Sequence, residues 1–157
     1  MPAPHRKLRP RVRQPGAAYF VTWNLARGQT PLTPAERDVV MGTIRHFDGV
    51  RYDLEAAVVM DDHVHVVVAP RSPWELDQIT HSWRTFAATS ILRNSVRPPP
   101  LWLRDGYDRV ALPEGELREK VGYVLRNPWR RWPDLQTYVW VWVREVDPED
   151  SWRIRDC

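Results

Sequence analysis

Residues 54–70, Leu54-Glu55-Ala56-Ala57-Val58-Val59-Met60-Asp61-Asp62-His63-Val64-His65-Val66-Val67-Val68-Ala69-Pro70, constrain this chain more than any other stretch. Two apolar runs rich in β-branched residues, each too short for an ordinary helix, flank the acidic pair Asp61-Asp62, and the pattern reads as two buried strands joined by a turn. Along the second strand successive side chains point to opposite faces, so His63 and His65 emerge together while Val64 points away. Two imidazoles fixed side by side on a strand can grip one divalent metal ion, each through a neutral nitrogen. The same spacing also occurs on solvated sheet faces, and a lone His-x-His does not separate the two readings.

A chain of 157 residues is long enough for one domain with a sizeable core. Its one cysteine is Cys157, so no intramolecular disulfide can form and a reducing, cytoplasmic setting is expected. No apolar run approaches the roughly 20 residues that span a bilayer, and the N-terminus lacks the apolar stretch of a signal peptide, so no membrane partner is expected. The net charge is +3 and the pI about 9.3, with arginine far outnumbering lysine, a balance that suits a polyanionic partner. The nine tryptophans can stack on bases or fill the core, and the second use is the commoner.

In chain order, residues 1–17 form a basic arm in which Arg6, Lys7, Arg9, Arg11 and Arg13 stand among prolines, either to bind phosphates or to keep the terminus solvated. A domain is expected over 18–145, with a tail over 146–157. Tyr19 to Leu25 is aromatic and β-branched and reads as the first strand. Thr33-Pro34-Ala35-Glu36 combines a capping residue, a proline at the first helical position and a glutamate at the third, and starts a helix that buries Val40, Ile44 and Phe47 and ends before Gly49. Ser72-Pro73-Trp74-Glu75 repeats that pattern. Leu76, Ile79, Trp83, Phe86, Ser90 and Ile91 follow at helical spacing as a buried stripe, with His81, Arg84 and Arg93 on the solvated side.

Arg97-Pro98-Pro99-Pro100 reads as an extended linker, Asp105-Gly106 as a turn, and Tyr107 to Leu112 as a strand. From Glu114 the pattern is helical, with Leu117, Val121, Val124 and Leu125 buried and an end expected near Asn127 because Pro128 follows. Tyr123 and Asn127, four apart, share one face of that helix. Gln136 to Arg144 alternates aromatic residues with valines as a closing strand. The order strand, helix, strand, strand, helix, strand, helix, strand predicts an α+β fold: a ferredoxin-like sandwich, an antiparallel sheet with helices packed on one face.

Three segments then carry a specific resemblance. Met60-Asp61-Asp62-His63-Val64-His65-Val66-Val67-Val68 resembles the metal-binding signature of the HUH single-tyrosine transposases. Leu101-Trp102 with Gly106-Tyr107-Asp108-Arg109, and Tyr123-Val124-Leu125-Arg126-Asn127-Pro128, resemble that family's later signatures, most of all in its REP-associated tyrosine transposase branch. The resemblance extends from about Tyr19 to Trp132. It implies that His63 and His65 bind a divalent metal, Mg²⁺ or Mn²⁺, that Asn127 supplies a third ligand through its amide oxygen, and that Tyr123 is the nucleophile. Family members commonly carry proline where this chain has Asp61, and the tryptophan-rich C-terminal strand departs from the family pattern.

The activity so implied is metal-dependent cleavage and strand transfer of single-stranded DNA, hairpin or palindromic, through a 5′-phosphotyrosine intermediate, by a monomer or a homodimer. Elementary chemistry is consistent with it. Cutting and rejoining a strand without ATP requires a covalent enzyme link, which a tyrosine hydroxyl can make. A phenol with a pKa near 10 is a weak nucleophile at neutral pH, and a metal ion offsets the phosphate charge that repels it. Arg6, Arg9, Arg11 and Arg13 of the arm and Arg126, Arg130 and Arg131 of the last helix are then the candidate DNA contacts. Two alternatives stay open: an HUH nickase of replication or repair, and a DNA-hairpin-binding module without catalysis.

Overall fold

The computed structural model of the protein describes residues 18–105 and 107–153. The basic arm with Arg6, Arg9, Arg11 and Arg13, the glycine of the Asp105-Gly106 turn and the last four residues lie outside this range.

The expected hairpin is the centre of the molecule. Strands β2 (Tyr52–Val59) and β3 (His63–Pro70) pair antiparallel, and Met60 N–H donates to the His63 carbonyl at 2.8 Å to close the turn. Neighbouring segments hold that turn from outside: Leu32 N–H donates to the Asp61 carbonyl at 2.7 Å and Leu25 N–H to the Asp62 carbonyl at 2.9 Å. Strand β1 (Tyr19–Asn24) pairs with β3, β4 (Asp108–Ala111) with β1, and β5 (Val141–Val143) with β2, giving the antiparallel order β4-β1-β3-β2-β5. The first four strands, with helices α1 (Pro34–Arg45) and α2 (Leu76–Arg93), make the ferredoxin-like core that the element order predicts.

Alternation along β3 decides what covers each face. Val64, Val66 and Val68 join Val21, Trp23, Leu54 and Val59 in a core beneath α1 and α2, where Ile44, Ile79, Trp83 and Ile91 are buried. The opposite face carries His65 and Val67 with Ala56 and Val58, and these residues are equally buried. A sheet apolar on both faces needs two covering layers. The second layer is helix α3 (Leu117–Arg131), whose Val124, Leu125 and Trp129 pack on β2, β3 and β5. The expectation of helices on one face therefore holds for α1 and α2, while α3 takes the other face, the one that bears the histidines.

Local signals fare unevenly against tertiary packing. Thr33 and Glu36 form the expected capping box around Pro34. The second helix starts later than Ser72-Pro73 suggests, with Glu75 as the cap and Gln78 accepting from its N–H at 2.9 Å. Phe86, expected in the buried stripe, is exposed, and Thr80 and Ala87 are buried in that helix.

Helix α3 does not stop at Asn127. It runs through Pro128 to Arg131, because burial of Pro128 and Trp129, and the 2.7 Å bond from Trp129 Nε1 to the Leu135 carbonyl, outweigh the roughly 3 kcal/mol that an interior proline costs a helix. The closing strand is shorter than the alternation predicts. Tyr138 turns away to donate its hydroxyl to the Val59 carbonyl at 2.7 Å, leaving Val141–Val143 to pair with β2. Beyond it, Pro148–Arg153 forms a 3-10 helix with Asp150 buried. The proline-rich segment after α2 is anchored as well: Arg97 forms an ion pair with Glu36 at 2.7 Å and donates to the Thr30 and Pro31 carbonyls. No helix among the described residues is long and apolar enough to cross a membrane.

Candidate active site

On the α3 side of the sheet, His63 and His65 stand two residues apart on β3, as the strand period requires, with ring centroids 4.6 Å apart. The neighbouring strand β1 completes this floor. Thr22 is the cross-strand partner of His65, and its Oγ1 lies 2.8 Å from His65 Nδ1. Phe20, two residues back on the same face, stacks on the His65 ring at 5.1 Å. At the turn, Asp62 Oδ1 lies 2.7 Å from His63 Nδ1.

Helix α3 brings Tyr123 over this floor. Its ring meets Phe20 edge-on at 5.9 Å and His65 at 5.8 Å. Lys120, one turn earlier, places Nζ 5.1 Å from the Tyr123 ring centroid and 4.6 Å from that of Phe20. Arg130 also lies over the Tyr123 ring, at 5.0 Å. Asn127, one turn after Tyr123, is on the buried side of the helix. The packing of α3 on the sheet thus gathers a phenol, two imidazoles and two cations on one face.

The electrostatics suit ligand imidazoles. Burial, followed by the nearby His63, Lys120 and Arg130, lowers the His65 pKa to about 3, so its ring is neutral at ordinary pH. Burial works against ionisation of Asp62, but its hydrogen bonds to His63 and Arg131 outweigh this and hold its carboxyl below the usual range. An ionised carboxylate only accepts, so the 2.7 Å contact puts the proton on His63 Nδ1 and leaves the Nε2 lone pair free. A carboxylate behind the ring is the usual support of a metal-bound histidine. The pair therefore fits a divalent ion whose remaining ligands are oxygens. Among the described residues no cluster of three His, Cys, Asp or Glu side chains adds to it.

The arginines expected at the site divide. Arg130 is beside Tyr123. Arg126 faces Asp150, at 3.6 Å, across Gly122, where a Cβ would meet its guanidinium at 2.7 Å. Arg131 is held by the hairpin turn, at 3.0 Å from Asp61 and 2.9 Å from Asp62. Phe20, Thr22, Lys120 and Asp62 escaped the reading of the sequence. Lys120 was accessible as the residue three before Tyr123, and Thr22 and Phe20 only through the β1–β3 register.

No protein-family model matches the sequence, and no curated protein matches it. The fold itself has counterparts among solved structures. A REP-associated tyrosine transposase bound to a REP hairpin aligns over 74% of this chain and 68% of its own, with a TM-score of 0.61 and 18% identity. A Deinococcus radiodurans R1 protein assigned as a transposase aligns over 70% of this chain and 88% of its own, with a TM-score of 0.52 and 17% identity. Together with the five-stranded antiparallel sheet and its helices, these alignments establish that the chain has the fold of a REP-associated tyrosine transposase.

Proposed function

We propose that the protein is a member of that transposase family and cleaves and transfers single-stranded DNA through a tyrosine nucleophile. The observation that carries the reading is the approach of Tyr123 from α3 to within 5.8 Å, ring to ring, of His65 on the face it shares with His63. The solved relative with a REP hairpin bound to it makes a DNA hairpin the substrate of choice.

In this reading the Tyr123 hydroxyl attacks the scissile phosphorus, a phosphotyrosine bond forms, and the departing 3′-oxygen leaves with a proton. The bond energy stays in the ester, so a second DNA 3′-hydroxyl can reverse the step on a new strand without ATP. The 5′ polarity of the link is taken from the resemblance. Phe20 packs against both Tyr123 and His65 and fixes their relative position before substrate arrives. Lys120 and Arg130, both beside the phenol ring, attract the phosphate and stabilise the charge that builds on its oxygens. His63 and His65, with the amide oxygen of Asn127, would hold Mg²⁺ or Mn²⁺, and the ion would neutralise the phosphate and orient it for in-line displacement.

The reading is tested with a hairpin-bearing single-stranded DNA and Mn²⁺. Wild-type protein is expected to cut it. Tyr123→Phe keeps the ring contacts, and is expected to bind the hairpin with nearly unchanged affinity and to cut nothing. Cleavage by Tyr123→Phe at the wild-type rate would remove the tyrosine from the chemistry.

A further inference from the structure

Arg131 has a second use for its charge, visible only in three dimensions. The guanidinium donates to Asp62 Oδ1 at 2.9 Å and to Asp61 Oδ2 at 3.3 Å, so both carboxylates of the β2–β3 turn converge on one residue of α3. The Asp62 oxygen that receives Arg131 is the one that lies 2.7 Å from His63 Nδ1. Arg131, Asp62 and His63 therefore form a continuous chain of charge-assisted hydrogen bonds. It starts on the helix that carries Tyr123 and ends on the strand that carries the histidines.

We infer that Arg131 is a positioning residue that acts through Asp62 to fix the ring orientation and tautomer of His63, and so sets the divalent-cation affinity of the histidine pair. The inference rests on the metal reading of that pair. Two features of the geometry carry it. The Asp62 side chain is half exposed, so Arg131 adds a second hold, beside the His63 contact itself, on the rotamer that meets His63. The Arg131 fork reaches Asp61 at the same time, so the turn is gripped at two points. The grip also ties the C-terminal turn of α3 to the histidine hairpin, and any shift of the helix is transmitted to His63.

Side-chain ¹⁵N spectra of metal-free protein, recorded above the ordinary imidazole titration range, read the His63 tautomer, and calorimetric titration with Mn²⁺ reads the affinity. Wild type is expected to show His63 protonated at Nδ1. In Arg131→Met and in Asp62→Ala the tautomers are expected to mix, and Mn²⁺ affinity to fall by roughly tenfold to a hundredfold, the usual effect of removing a ligand's hydrogen-bond partner. Arg131→Lys, which keeps the charge without the fork, is expected to recover part of the affinity. An unchanged tautomer and unchanged Mn²⁺ affinity in Arg131→Met would overturn the inference, and a drop in DNA affinity alone would make Arg131 a DNA contact instead. If wild type binds no Mn²⁺ while the tautomer shift in Arg131→Met persists, the positioning role stands and the metal reading fails.

Discussion

Thr22 and His65 face each other across β1 and β3, with the threonine hydroxyl 2.8 Å from the imidazole Nδ1. This contact occupies one ring nitrogen and leaves the other for a ligand. Thr22→Val keeps the shape and deletes the hydroxyl. The expected fall in stability is about 1 kcal/mol, that of one neutral hydrogen bond, whereas Mn²⁺ affinity is expected to fall by roughly tenfold or more. Urea unfolding and Mn²⁺ titration of the same variant separate the two effects, and an undiminished affinity would show that Thr22 only packs.

Burial of His65 sets a pH dependence of the metal-free fold. The folded-state pKa is about 3, against 6.5 for an ordinary histidine, so between these values the unfolded chain binds a proton that the folded one refuses. Stability therefore rises with pH across that window and is lost as pH falls from about 6.5 toward about 3, by up to ~1.4 kcal/mol per pH unit. Replacement by a residue that does not titrate, His65→Gln, is expected to flatten the dependence. Urea midpoints measured with chelator across the mildly acid range check this. An equally steep fall in His65→Gln would place the proton uptake elsewhere.

Lys120 and Arg130 both lie over the Tyr123 ring, and both also act on His65 as positive charges. Lys120→Gln and Arg130→Gln are expected to lower the cleavage rate at saturating DNA by roughly tenfold or more each. Mn²⁺ affinity is expected to hold or improve, because a repelling cation has been removed. A variant in which metal affinity and cleavage fall together would point to a structural role.

What the sequence disclosed and what it hid follow the range of the interactions concerned. The hairpin, the side-by-side histidines and the Thr33–Glu36 capping box rest on neighbours within a few residues, and all are where the pattern places them. Pro128 misled because its penalty is local while the burial of Trp129 that offsets it is not. Phe86 matched the helical stripe yet is 63% exposed, since it borders an open groove between α1 and α2 instead of meeting the sheet. Strand and helix periods reach as far as placing His63 beside His65 and Tyr123 on one helix face with Asn127; the roles expected of them come from the family resemblance. Phe20, Thr22 and the grip of Arg131 on the hairpin turn depend on strand register and helix placement, neither of which leaves a mark in one sequence.

The sequence reading of Arg6, Arg9, Arg11 and Arg13 as contacts to backbone phosphates is open to a direct test. Removal of residues 1–17 is expected to weaken single-stranded DNA binding and to flatten its salt dependence by about 0.7 in log-log slope for each phosphate that is no longer neutralised. Cleavage at saturating DNA is expected to survive better than affinity. Fluorescence anisotropy over a salt series measures the slope, and an unchanged slope would leave the arm a solubilising terminus.

The most direct test of the central claim is to trap the covalent link. Wild-type protein incubated with a single-stranded hairpin DNA and Mn²⁺, then denatured and digested, is expected to yield one peptide that carries DNA on Tyr123. Cleavage with no protein-bound DNA would identify water as the nucleophile, and a link to Tyr107 or any other tyrosine would contradict the placement of the chemistry on α3.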